Sequence, residues 1–332
     1  MNRLIALSMA AGAVTAALFS PAAAAQQTDP AAVFPSKPVR IIVQTGPGSP
    51  PDVRARQIAQ KLSAEWGQPV VVENRPGASG QIALEALARA APDGHTLCLT
   101  GGAPLTITPH LRKQPFDPLK DFVPVAGIGF APILLIVNGT LPVTDARQLL
   151  QYARKHPGRL NAATWGEATT PHLALEQFSR ANDVQIAHVP YKEGSSRVVT
   201  DLIAGEVQMA FEWLHSTRAH IRTGRLKALA VAGSERLTGY PDIPTFAEAG
   251  VAGMDAIGGW LGFVAPANTP PAVVRKIGAA VARAFEDPEL RAQTIEIGGY
   301  TNVRQPEEFA RFIEDEYRRY GQLISEAGIR LQ

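Results

Sequence analysis

Short runs of β-branched and aliphatic residues alternate along this chain with longer stretches whose apolar positions recur at helical spacing. Residues 39–43 (VRIIV), 69–73 (PVVVE), 95–100, 133–137 (ILLIV), 160–164, 186–189, 207–211, 226–231 and 260–264 read as strands. Several are apolar without alternation, the pattern of strands covered on both faces. Between them, residues 52–62 (DVRARQIAQKL) place Val53, Ile58, Ala59 and Leu62 at helical spacing, and helices are also predicted from Ser79 or Gly80 to Ala91 and over 145–155, 171–181, 195–204, 217–222, 270–285 and 306–327. Strand, short loop and helix in repeated succession predict an α/β fold with doubly wound sheets.

One junction organises the rest. After the strand 39–43 comes Thr45-Gly46-Pro47-Gly48-Ser49-Pro50-Pro51-Asp52. Ser49 is placed as N-cap, Pro50 fits the first helical position, and Asp52 is spaced to close a capping box. A helix N-terminus at the carboxyl end of a strand offers backbone donors to an anion or dipole. The loop is not a nucleotide fingerprint, because Pro51 stands where the third glycine belongs and no Gly-Lys-Ser/Thr follows. The same arrangement returns at 160–171, where a strand and the small-residue loop 165–170 lead to Thr170 as cap before Pro171. Two α/β units with helices opening at strand ends can face each other across a cleft.

Residues 1–25 read as an export signal rather than structure. Arg3 makes a short basic start, 4–19 is apolar and Ala-rich, and 21–25 supplies small residues for cleavage near Ala24 or Ala25. This predicts an exported, periplasmic protein. The 332 residues are 45% apolar and 19% charged, and removal of the signal takes Arg3 alone, leaving 31 basic against 30 acidic residues. Such balance without a Lys/Arg cluster argues against nucleic acid as a partner. Cys98 is the only cysteine and sits in a strand pattern, so neither a disulfide nor a nucleophile is expected. No metal or cofactor motif stands out: His215 and His220 lack helix-face spacing, and His172 with Glu176 reads as a local i,i+4 pair.

Seven stretches together carry a resemblance. They are 34–40 (FPSKPVR), 67–77 (GQPVVVENRPG), 91–97 (APDGHTL), 116–122 (FDPLKDF), 188–192 (HVPYK), 226–231 (LKALAV) and 242–250 (DIPTFAEAG). In this order the chain resembles the extracytoplasmic solute receptors of tripartite tricarboxylate transporters, the Bug family. The resemblance implies a periplasmic binding protein type II-like fold: two α/β domains, a hinge and a central ligand cleft. It implies a monomeric receptor without catalysis or cofactor, delivering a small organic acid to a membrane permease. A receptor presenting ligand to a sensor protein is the alternative within the binding class. A secreted hydrolase or isomerase using Asp52 and Glu212 is the alternative outside it. Domain 1 is expected over 26–123 plus 233–332, and domain 2 over 124–232.

The ligand residues expected are Gly48, Ser49, Asp52, Gly101, Gly102, Trp165, Glu167, Thr169, Thr170, Tyr191, Lys192, Glu212 and Trp213. Departures from the resembled pattern shape the ligand. Where the family has glycines and then Thr-Asp, this chain has Pro50-Pro51-Asp52, and two prolines withdraw N–H donors, leaving Gly48, Ser49 and the amides of Asp52 and Val53. At the second lip Trp165, Gly166 and Glu167 stand where the family has small residues around Gly, and Glu212-Trp213 stands where it commonly has Asp-Asn or similar. A ligand carboxylate about 4 Å from either glutamate is repelled by roughly 1–4 kcal/mol, which Lys192 and His172 would offset. Two readings stand: a ligand more aromatic or amphipathic than citrate or succinate, with one acid group, or two indoles that only pack.

Overall fold

The computed structural model describes residues 30–167, 169–191, 195–254, 257–296, 298–299 and 303–329. The export signal and Lys192 lie outside the described residues.

Two five-stranded sheets form two lobes. The first begins with a short helix α1 (Pro30–Val33), then β1 (Val39–Val43), α2 (Pro50–Trp66), β2 (Val70–Asn74), α3 (Gln81–Ala88) and β3 (Thr96–Gly101). A π-helical turn over Ala103–Ile107 and a 3-10 turn over Thr108–His110 lead to β4 (Phe122–Pro132). The chain then builds the second lobe: β5 (Leu134–Asn138), α4 (Ala146–Lys155), β6 (Asn161–Thr164), α5 (Thr170–Ala181), β7 (Ala187–Pro190), α6 (Ser195–Ala204), β8 (Met209–Glu212), α7 (Leu214–Arg222) and β9 (Leu226–Val231). It returns through β10 (Gly258–Pro266), α8 (Pro271–Ala284), α9 (Pro288–Glu296) and α10 (Pro306–Ala327).

The sheet orders are β2-β1-β3-β10-β4 and β7-β6-β8-β5-β9. Each has a parallel trio (β2-β1-β3 and β7-β6-β8), then a strand antiparallel to both its neighbours, β10 in one and β5 in the other. The loop after β1 and the loop after β6 therefore occupy equivalent places. β1 is buried on both faces, with Val39, Ile41, Ile42 and Val43 inaccessible to solvent, which is why it reads as a continuous apolar run. Ala55, Ile58, Ala59 and Leu62 bury one face of α2, and Gly67 ends that helix in the left-handed region, donating its N–H to the Ser63 carbonyl.

Three expectations change. Val53 is not on the core stripe of α2: it is 46% exposed, while Arg54 beside it is 9% exposed. Helix phase fixes this, because Arg54, Ile58 and Leu62 are spaced by four and share a face. The capping box also moves by one residue: Asp52 Oδ2 accepts from Gly48 N at 2.9 Å rather than from Ser49. In the second lip Thr169, not Thr170, is the N-cap of α5. The chain leaves the first sheet after β4, which ends at Pro132, and rejoins it at β10, which starts at Gly258. β4 carries Pro124 and Pro132, which hide a strand in the sequence but fit an edge position, where fewer backbone donors are needed. Residues 233–257 contribute Phe246, Val251, Met254 and Ile257 to the core of the second lobe. The two crossings run side by side, with Ile133 N donating to Ile257 O at 3.5 Å and Gly258 paired with Pro132.

Candidate ligand site

The first lip is built by its own polar groups. Gly48 adopts φ +80°, which an L-residue tolerates poorly, and turns the chain into α2. Ser49 Oγ lies 2.6 Å from Thr45 Oγ1 and donates to Gly46 O at 2.7 Å, so the hydroxyl is bent back onto the loop rather than capping a helix amide. Asp52 is 2% exposed. Its carboxylate accepts from Gly48 N, from Asn74 Nδ2 at 2.7 Å and from the Arg56 guanidinium, whose charge and hydrogen bond hold its pKa down at about 2. Asp52 thus ties the lip to β2, with both carboxylate oxygens held by these partners. The Val53 amide is spent on Ser49 O at 2.9 Å, inside the helix.

The second lip repeats the fold-back. Gly166 adopts φ +114°, and Thr169 Oγ1 donates to Gly166 O at 2.8 Å. Thr170 begins α5, and Glu167 is exposed. At the end of β8, Glu212 is fully buried and accepts from Trp165 Nε1, from Ser195 Oγ and Ser216 Oγ, each at 3.0 Å, and from Trp213 N at 3.2 Å. Burial outweighs these donors and raises its pKa to about 7. It holds the Trp165 indole, against which Trp213 packs. Trp165 and Trp213 stack with centroids 4.3 Å apart and planes 26° from parallel. Trp213 reaches across to the crossing strands, donating from Nε1 to Ala131 O at 3.2 Å and lying on Gly259, where an added Cβ would come within 3.0 Å of its ring. Tyr191 is committed within the second lobe, its hydroxyl donating to Asp201 Oδ2 at 2.9 Å.

Between the lobes lies a cavity of about 400 Å³. The first lobe contributes Gln44, Pro50, Pro51 and Arg54, the crossing strands Ala131, Gly259 and Trp260, the second lobe Trp165, Trp213 and His215, and the segment around α9 Thr294 and Gly299. Of the residues expected from sequence, Trp165 and Trp213 line this cavity. Gly101 and Gly102 stand behind it: Gly102 makes room for the Trp260 indole, where a Cβ would meet Nε1 at 2.6 Å, and Gly101 backs onto Trp260 O and Gln44. Gln44, Arg54, His215, Trp260 and Thr294 were not anticipated. Arg54 left a trace in the sequence, a cation four residues before Ile58 and eight before Leu62, on the apolar stripe.

With two lobes, paired crossings and a walled cavity established, comparison with known proteins is decisive. The family model for the tripartite tricarboxylate transporter family receptor matches residues 54–329. The chain belongs to that family. A UPF0065 protein of Bordetella pertussis is 37% identical over 306 residues, 90% of this chain and 92% of the relative. A structure of an R. palustris protein with adipate is 33% identical, covers 90% of this chain and 99% of that one, and superposes with a TM-score of 0.75. MatC from Rhodopseudomonas palustris, with bound malate, is 31% identical over 88% of this chain and 100% of its own, with a TM-score of 0.71. Tripartite tricarboxylate receptors are periplasmic solute-binding proteins, and in this receptor the inter-lobe cavity is walled mostly by apolar groups.

Proposed function

We propose that this receptor captures a small organic acid with one anionic group and a planar or apolar body, by closure of its lobes around the inter-lobe cavity. It then hands the acid to a tripartite-type membrane permease, after export directed by residues 1–25. The observation that carries this reading is the stacked Trp165–Trp213 pair on one wall of the cavity. An indole face favours a flat or hydrocarbon partner and gives a second carboxylate nothing to bond. The paired crossings support a hinge, since few backbone torsions there would swing one lobe against the other. The adipate and malate seen in relatives make organic acids the class to screen.

A thermal-shift screen of aromatic monoacids against adipate and malate tests the reading. Stabilisation by phenylacetate-type acids above that by the aliphatic diacids is the expected result. The reverse order overturns it, and native mass spectrometry of freshly purified protein gives an independent check through any co-purified small molecule.

A further inference from the structure

Arg54 is the single formally charged side chain among the described residues lining the cavity. It is 9% exposed and lies on the buried stripe of α2. Among the described residues it forms no ion pair. Its hydrogen bond runs from Nη1 to Leu290 O at 3.3 Å, and its guanidinium sits 5.8 Å from the Phe285 ring centroid. Among the described residues that one carbonyl is its hydrogen-bond acceptor, so most of a five-donor fork is left for a further acceptor. Burial without a carboxylate lowers its pKa from the ordinary arginine value, yet a guanidinium stays charged at neutral pH. A buried cation lacking a counter-charge is costly, and arginine's planar fork matches a carboxylate in two parallel bonds.

The helix that carries Arg54 adds a second reason. Pro50 and Pro51 occupy its first two positions and supply no N–H, so this lip holds few backbone donors for an anion. Both prolines line the cavity beside Arg54. Arg54 is thus the charged donor on a helix whose first two residues offer the cavity no backbone N–H.

We infer that Arg54 is the anion-holding residue of this receptor, gripping the acid group of the ligand from the first lobe while the ligand's body lies against Trp165 and Trp213 of the second. Binding then supplies the counter-charge that the unliganded protein lacks, and favours the closed arrangement in which both walls are engaged. The inference deepens the proposed function and rests on its placement of the ligand between the lobes.

Calorimetry with two acid–amide pairs tests it: phenylacetate with phenylacetamide, and adipate with adipamide. Wild-type protein is expected to favour the acid over its amide by about tenfold or more, as a charge-assisted bidentate bond requires. In Arg54→Gln that preference falls to about threefold or less, and Arg54→Lys keeps part of it. The melting temperature of unliganded Arg54→Gln separates this role from a structural one. It stays level or rises by about 1–3 °C, because a buried unpaired charge has been removed. An acid preference unchanged in Arg54→Gln, or equal loss of acid and amide with a lower melting temperature, overturns the inference. So does a wild-type protein that binds no acid of either body. If the adipate pair binds and shows the collapse while phenylacetate does not bind, the aromatic reading fails and Arg54 stands. If phenylacetate binds with a preference indifferent to Arg54, the converse holds.

Discussion

The two lips, at the ends of β1 and β6, occupy equivalent places in sheets of the same strand pattern and share a local device. In each, the cap hydroxyl donates to a glycine carbonyl three residues earlier, Ser49 to Gly46 at 2.7 Å and Thr169 to Gly166 at 2.8 Å. They differ in what they offer a ligand. The first turn of α2 begins Pro50-Pro51-Asp52, and its one remaining N–H belongs to a residue that is 2% exposed. The first turn of α5 keeps the N–H groups of Thr170 and His172 around Pro171. The first lip carries a buried guanidinium, while the second is flanked by two indoles. The same local geometry thus borders a charged group on one side and apolar surface on the other, and proline removes backbone donors without disturbing the helix start.

The largest effect should come from the residue that shapes the first lip. Asp52→Ala leaves the Gly48 N–H and the Asn74 amide without their acceptor and should cost about 2–4 kcal/mol in urea unfolding. A loss below about 0.5 kcal/mol would mean that the lip holds its shape without the carboxylate. The second lip has a pH signature instead. The folded state binds the Glu212 proton more tightly than the unfolded chain does, so its stabilising contribution is complete below about pH 4.5 and is lost as pH rises toward 7. That amounts to about 3 kcal/mol across the window. Thermal melts from pH 4 to 8 should show a downward slope that Glu212→Gln flattens; an equal slope in both proteins contradicts the assignment.

Smaller effects sharpen the contrast in binding. Trp213→Ala removes the stacked wall and should weaken phenylacetate by about 2 kcal/mol, roughly 30-fold, while changing adipate less. Equal losses for both acids would make the indole a scaffold residue. Pro51→Ala returns one N–H to the first turn of α2 and should tighten acid binding by about 0.5 kcal/mol, near twofold by calorimetry. No change would mean that this helix end is not aimed at the ligand.

What the sequence disclosed follows from how local each signal is. β1 and the start of α2 were readable because an unbroken apolar run and a cap-proline pair act through neighbours in the chain. β4 was hidden, since Pro124, Pro132 and Gly127 argue against a strand until an edge position accommodates them. On α2, Ile58, Ala59 and Leu62 show the buried stripe in the sequence, but Val53 looks like core and Arg54 does not, and only the packed helix shows which of these two faces inward. At the site, Trp165 and Trp213 were recognisable as bulky residues on loops where small ones serve. The local partners of the two acids, one in each lip, are not legible in the sequence. Asp52 and Glu212 spend their oxygens on partners such as Asn74 and Ser195, 22 and 17 residues away, and those pairings exist only once the sheets form.

The division of labour between the lobes is tested most directly by a crystal structure of the wild-type protein with phenylacetate. The account predicts the carboxylate within hydrogen-bonding distance of the Arg54 guanidinium, and the ring against Trp213. A carboxylate held instead by the first-turn amides of α5, with Arg54 untouched, would contradict it.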